Sequence, residues 1–328
     1  MPSVSASTKT VSFRWAVTEA LAEEMERDDN VFVAGEDVGA GGSFGLTRGL
    51  RDRFGEWRVK DTPLSEEGIA GLAVGAALAG MRPVLEIMFM DFITIAMEQI
   101  CNQAAKSRTL YGGRVRVPLV VRTMAGAGLQ IGGHHSGSLE AWFVHTPGLK
   151  VVYPSTPADA KGLLKAAIRD DNPVVFLEHK SLLSLKGEVP EGEHVIPLGV
   201  ADVKRAGGDC TVVATGWMVH RALAAADELA KSRIHLEVID PRTLSPFDAD
   251  TVCASLEKTK RLVVVQEAPG ACGFAAEVSA VVAERAIDLL DAPIKRVTGA
   301  HVPMPFGSLE DQLIPSVADI VAAVRQVQ

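Results

Sequence analysis

Aromatic side chains make up only 5% of the 328 residues, too few for the stacking platforms that hold single-stranded nucleic acid. Basic runs are also missing. Lys plus Arg is 33 against 41 for Asp plus Glu, a net charge of −8, so neither nucleic acid nor an anionic membrane is an expected partner. The four cysteines, Cys101, Cys210, Cys253 and Cys272, form no C-x-x-C pair, which excludes a disulfide scaffold or a cysteine zinc site and fits a reducing cytoplasm. The longest uncharged apolar stretch, Ile69 to Met81, is broken by Gly71, Gly75 and Gly80 and is too short to span a bilayer. Met1 to Thr10 is Ser/Thr-rich without an apolar core and is expected to fray rather than to act as a signal. No G-x-x-x-x-G-K-[ST] occurs. Gly35 to Gly45 is glycine-rich without completing G-x-G-x-x-G, and Gly126-Ala-Gly128-Leu-Gln-Ile131 starts that pattern but ends on Ile; both read as flexible turns beside a cleft.

Hydrophobic residues at 47% and charged residues at 23% suit an ordinary globular chain, and the length suits two domains. Apolar runs of strand length alternate with helix-length segments. After an amphipathic helix from about Phe13 to Glu26 come the strands Val31–Gly35, Pro83–Met88, Val117–Arg122, Leu149–Tyr153 and Pro173–Glu178. Near-continuous Val/Ile/Leu strands separated by helices predict a parallel sheet covered on both faces. His179 to Gly199, with Pro190, Gly192 and Pro197, breaks the pattern and reads as a crossing segment. A second series follows with strands Cys210–Thr215, Ile234–Asp240, Arg261–Glu267 and Ile294–Val297, and helices near Val219–Lys231, Ala249–Lys258, Ala275–Leu289 and Ser316–Val327. The expectation is two parallel-sheet α/β domains, residues 1–185 and 200–328, with 186–199 as linker.

Three motifs invite a chemical reading. In Pro63-Leu-Ser-Glu-Glu-Gly68, Pro63 and Ser65 announce a helix start. Gly68, Gly71 and Gly75 then share one helix face, where the absence of side chains admits a close neighbour at a cost in helix stability. Glu66 sits in the first turn, where the helix dipole favours an acid; spacing alone leaves it as readily an ordinary first-turn acid. Gly132-Gly-His-His-Ser-Gly137 lies between a strand and a helix near Leu139–Phe143. Its adjacent histidines lack metal-pair spacing but suit acid–base work in a strand-to-helix loop; the alternative is one hydrogen-bonding and one solvent-exposed histidine. Asp170-Asp-Asn-Pro173 is a turn and helix stop whose oxygens suit a hard cation.

Taken in order, Asp61-Thr-Pro-Leu-Ser-Glu-Glu-Gly68, Glu86-Ile-Met-Phe-Met-Asp-Phe92, Gly133-His-His-Ser136, Glu140-Ala-Trp-Phe-Val-His-Thr-Pro-Gly-Leu-Lys150, Asp159-Ala-Lys-Gly162, Pro241-Arg-Thr-Leu-Ser-Pro246 and Gln266-Glu-Ala268 resemble the β subunits of the thiamine-diphosphate-dependent 2-oxo-acid dehydrogenases, in the transketolase superfamily. The resemblance runs from about Phe13 to Val327. Glu178-His-Lys180, Ser184-Leu-Lys-Gly-Glu-Val-Pro190 and Pro305-Phe-Gly-Ser-Leu-Glu310 are most similar to the acetoin dehydrogenase branch. The pyruvate branch shares most of the rest, and the branched-chain 2-oxo-acid branch matches less.

The resemblance implies a transketolase-like pyrimidine-binding domain followed by a transketolase C-terminal-like domain. It implies that Glu66 takes the place of the glutamate that hydrogen-bonds the cofactor pyrimidine and so promotes loss of the C2 proton. Leu64, Met88 and Phe92 match positions lining the pyrimidine pocket, an apolar slot with one ionisable group. His135 matches the histidine that handles the substrate-derived group and assists acyl transfer to lipoamide; His134 has no matching role. Leu119, Ala167, Ile168, Asp170 and Asn172 match a potassium site built mostly from backbone oxygens. The chain lacks the G-D-G…N motif that in the superfamily holds Mg²⁺ and diphosphate. Thiamine diphosphate is therefore expected to be shared, with Mg²⁺ and the diphosphate held by a separate α subunit in an α2β2 heterotetramer that passes an acyl group to a lipoyl acyltransferase. The alternatives are a pyruvate or branched-chain β subunit, a noncatalytic assembly subunit of the same fold, and a stand-alone transketolase-type synthase, which the missing diphosphate motif disfavours. Gly137 stands where the family often has Gln, and the Gly39–Gly45 loop is short, which bears on substrate handling.

Overall fold

A computed structural model describes residues 7–328. The chain forms two units: the first runs to Met124 and resumes over Thr146–Leu198, and the second takes Ala125–His145 and Gly199–Gln328.

In the first unit six strands follow the order Lys150–Val152, Val174–His179, Val120–Ala125, Arg82–Phe89, Val31–Gly35, Val59–Asp61. Val31–Gly35 pairs in parallel with both Val59–Asp61 and Arg82–Phe89, and the latter pairs in parallel with Val120–Ala125. Val31–Gly35 and Val174–His179 are buried at every residue, the burial that their continuous apolar sequences predict for a two-sided parallel sheet. Ser12 caps the helix Phe13–Arg27, its hydroxyl accepting from the Trp15 N–H at 3.2 Å. That helix packs against Pro157–Arg169, which Thr156 caps and which stops at Asp170 before the turn to Pro173. Helix Glu66–Leu78 packs on the strand Arg82–Phe89 that follows it.

Three details differ from the sequence expectation. The third apolar run enters its strand at Val120 rather than Val117, since Pro118 has no N–H to give a ladder and the Val117 N–H donates to Asp171 O at 3.0 Å instead. Met1–Ala6 of the expected frayed tail lie outside the described residues, but Thr8–Ser12 is an ordered strand, antiparallel to Lys186–Pro190. The irregular segment after His179 therefore begins by completing a two-stranded ribbon with the chain start, a pairing that polar local sequence does not announce.

The second unit holds a sheet ordered Lys295–Gly299, Leu262–Pro269, Cys210–Ala214, Leu236–Asp240, Asp202–Arg205. The first four strands are parallel. Asp202–Arg205, short, polar and not foreseen, closes the edge in the antiparallel sense, as edges are commonly blunted. Helices Met218–Ala230 and Val317–Arg325 cover one face, burying Val212, Val238, Val265, Leu229 and Ile320 together. Among the described residues no helix is long and apolar enough to cross a membrane.

Candidate active site

The carboxyl ends of the parallel strands in the first unit carry the residues expected to hold a cofactor ring. The Thr62 N–H donates to Gly35 O at 3.1 Å, tying the segment before the helix to the end of strand Val31–Gly35. Glu66 opens the helix Glu66–Leu78 and is half-buried. Ser65 stands at the N-cap as expected, but its hydroxyl makes no capping hydrogen bond. Glu36, one residue past Gly35, is pushed above the usual carboxyl range by burial and by the neighbouring Glu66 and Asp37 charges. Acidic side chains therefore gather at the strand end, and their charges raise the proton affinity of Glu36.

Met88 and Phe92 are half-buried at and just beyond the end of strand Arg82–Phe89. Phe89 packs edge-on against both Phe44 and Phe92, with centroids 5.4 and 6.0 Å apart, and the Ser43 hydroxyl donates to the Met88 sulfur at 3.3 Å. Leu64 is 81% exposed. The glycine face of the helix is open as well: Gly68 and Gly75 are exposed, with Leu72 and Ile95 exposed beside them.

Beneath these residues lies a charged group that spacing did not reveal. Arg122, fully buried, donates through Nε and Nη2 to the two Glu178 oxygens, each at 2.9 Å, and through Nη1 to Glu86 at 3.1 Å. Glu86 and Arg122 are register partners on adjacent strands. A buried guanidinium is tolerated when its donors are met bidentately, but one cation faces two acids here, and burial drives the Glu86 carboxyl upward despite Arg122. A usable signal was present: charged residues inside otherwise apolar parallel strands are seldom left unpaired.

The residues matched to a cation site lie around the turn after helix Pro157–Arg169, and their oxygens already accept hydrogen bonds. The Val174 N–H donates to Leu119 O at 2.8 Å, and the Asp170 N–H to Ala167 O at 3.2 Å, at the carboxyl end of helix Pro157–Arg169. Arg82 donates to Ile168 O at 3.0 Å and Asp170 O at 3.1 Å, Arg108 to Asn172 Oδ1 at 2.6 Å, and Lys150 pairs with Asp170. Oxygen donors at a helix carboxyl end suit a hard cation. Each carbonyl keeps a second lone pair, although Arg82, Arg108 and Lys150 already engage this oxygen set.

The histidine loop belongs to the second unit. The Gly126 N–H donates to Gly137 O at 2.9 Å and closes the loop; within it the His135 N–H donates to Gly132 O at 3.1 Å. His134 is exposed and His135 half-buried. Two acids distant in sequence hold the loop backbone. Glu267 accepts from the Ala127 N–H at 2.5 Å, and Glu310 accepts from the Gly128 N–H, the Gln130 N–H and the Ser136 hydroxyl. Glu140, the first residue of helix Glu140–Val144, is buried, and its Oε2 has no hydrogen-bond partner. Burial, with a smaller push from the Glu267 charge, raises its carboxyl to about 7. Among the described residues no group of three or more His, Cys, Asp or Glu is placed to hold a metal ion.

Not every shared motif is chemical. In His145-Thr-Pro-Gly148, Gly148 adopts φ +96, and a Cβ there would lie 2.1 Å from Ala105 O, so the backbone contact alone demands glycine.

Comparison with known proteins bears on both units. Residues 9–186 match the family described as "Transketolase, pyrimidine binding domain" and residues 199–320 match "Transketolase, C-terminal domain". The chain is 50% identical to the acetoin:2,6-dichlorophenolindophenol oxidoreductase subunit beta of Cupriavidus necator, over 97% of each chain. It is also 50% identical to the pyruvate dehydrogenase E1 component subunit beta of Bacillus subtilis, over 95% of this chain and 97% of that one. The 2-oxoisovalerate dehydrogenase subunit beta of the same organism is 47% identical, over 97% and 98%. Among solved structures, "Split gene transketolase, inactive beta4 tetramer" superposes with a TM-score of 0.77 over 97% of this chain and 98% of that one, at 23% identity.

Proposed function

The chain belongs to the transketolase-type β subunits of the acetoin and 2-oxo-acid dehydrogenases, and from that premise we propose that it forms one half of an active site completed by an α subunit. In this reading the enzyme cleaves acetoin or oxidatively decarboxylates a 2-oxo acid in the cytoplasm and passes the acyl group to the lipoamide of an acyltransferase. When bound, thiamine diphosphate supplies the carbon nucleophile and electron sink that amino-acid side chains lack. The observation that carries the proposal is Glu66, half-buried at the first turn of a helix whose glycine face is open, with its charge coupled to Glu36.

Glu66 would hydrogen-bond the pyrimidine ring and thereby set its protonation. Met88 and Phe92 give the ring an apolar wall, a burial that also strengthens the Glu66 hydrogen bond by excluding water. Leu64, exposed in the chain by itself, would add apolar cover to the ring. His135 would serve as the acid–base group on the substrate side of the site and so assist acyl transfer to lipoamide. The diphosphate and Mg²⁺ belong to the α subunit in an α2β2 assembly. A potassium ion among the carbonyls of Leu119, Ala167, Ile168 and Asp170, with Asn172, would brace the turn after helix Pro157–Arg169.

Glu66→Gln is the test. Reconstituted with its α partner, the variant is expected to assemble normally while hydrogen–deuterium exchange at the cofactor C2 falls by about 10²-fold or more, the scale of a lost acid–base group. Unchanged exchange overturns the assignment and favours a noncatalytic assembly subunit. Acetoin and pyruvate relatives are equally identical to this chain, so turnover of acetoin, pyruvate and branched 2-oxo acids by the reconstituted pair decides the substrate.

A further inference from the structure

We propose that Glu310 is the positioning residue for His135, a single buried carboxyl group that clips the histidine loop before and after the two histidines in sequence. Its Oε1 receives the Gly128 N–H at 2.5 Å and the Gln130 N–H at 3.3 Å, both before the histidines; its Oε2 receives the Ser136 hydroxyl at 3.1 Å, directly after them. The side chain is fully buried, so its removal takes away the acceptor that the loop donors share inside the protein.

The segment that carries Glu310 is shaped around the same loop. The Gly307 N–H donates to Gln130 O at 3.0 Å, and Ile131 and Phe306 form an antiparallel bridge. Gly132 adopts φ +84, and a Cβ there would meet the Phe306 ring at 2.6 Å, so the ring lies directly on the backbone before the histidines. The motif Pro305-Phe-Gly-Ser-Leu-Glu310 is thus a template for the loop, 174 residues away from Ser136 in sequence. Glu310 itself touches no reacting group; it acts through the loop.

The proposal rests on the role given to His135 above, and the experiment separates the two. In the reconstituted α/β complex, Glu310→Ala is expected to speed amide hydrogen exchange over residues 126–137 and to lower turnover by about 10²-fold, the cost of misplacing a working group by about 1 Å. Glu310→Gln keeps an oxygen for the two N–H groups and an amide group that donates to the Ser136 hydroxyl, so it is expected to restore exchange protection and most turnover. In a His135→Ala background, Glu310→Ala is expected to cost nothing further, because residues acting as one unit are not additive. Unchanged loop exchange in Glu310→Ala, a Gln variant as poor as Ala, or an additive double variant overturns the proposal. Full turnover by His135→Ala alone overturns the histidine assignment, and the proposal with it.

Discussion

Glu140 stands in an environment that opposes its chemistry. It buries a carboxyl with one oxygen unpartnered beside a second buried acid, Glu267. Its folded-state value, raised by burial to about 7 from an ordinary 4.5, fixes the sign of its effect. Below about pH 4.5 it is protonated folded and unfolded and contributes no pH dependence. Between there and pH 7 the unfolded chain ionises while the folded one does not, so stability falls with rising pH and levels off above 7, by about 3 kcal/mol in all. Glu140→Gln removes the titration. Denaturant unfolding is expected to show the variant gaining about 3 kcal/mol on the parent between pH 4.5 and 8; a constant difference across that range would disprove the burial argument. Sequence could not foretell this, because Glu140 stands in a shared motif with nothing to mark it as buried. Glu66 and His135 are singled out by the family resemblance, since spacing alone leaves each an ordinary alternative. Glu267 and Glu310 lie within motifs, but nothing local marks them as loop anchors, because their partners lie 140 to 182 residues away.

At the scale of elements, the helices Phe13–Arg27 and Pro157–Arg169 are joined by charge rather than by apolar area alone. Lys161 Nζ reaches Glu23 at 2.7 Å and Glu19 at 3.4 Å, and Lys165 reaches Glu23 and Glu193, each at 2.8 Å. Both lysines are buried. Burial pushes the Glu23 carboxyl up, but hydrogen bonds from the two lysines outweigh it and leave it below the usual range. Exposed Glu193 is held down at about 2, first by Arg169 and then by Lys165. Exposure decides which pairs matter: Lys161→Met, which leaves Glu23 half-served, is expected to cost about 1–2 kcal/mol, and Glu193→Gln no more than about 0.5 kcal/mol. Equal losses in urea unfolding would contradict this ranking. The same scale shows why strands were readable unevenly. Val31–Gly35 and Cys210–Ala214 are buried at every residue and announce themselves as continuous apolar runs, whereas Thr8–Ser12 and Asp202–Arg205 are polar and defined only by distant partners.

For the whole molecule, the decisive fact is what one chain can hold by itself. It offers an acid, an apolar wall and a histidine loop, but no glycine-rich cradle for a diphosphate and no cluster of acids for a divalent ion among the described residues. Most of a charged cofactor's binding free energy comes from its phosphates and their metal, so the ring contacts of this chain alone are expected to be weak. The open glycine face of helix Glu66–Leu78, with Leu64, Leu72 and Ile95 exposed around it, is a surface that a partner subunit would cover. Titrating thiamine diphosphate and Mg²⁺ into the purified chain is therefore expected to give no saturable binding at concentrations that saturate the reconstituted pair, and no turnover of acetoin or pyruvate. Adding the α subunit should restore both, and Glu66→Gln in the restored pair should leave diphosphate-dependent binding within about tenfold while abolishing turnover, since the acid acts on proton transfer more than on affinity. Robust turnover by the isolated chain would mean that the active site is complete within it, and the half-site reading would have to be abandoned.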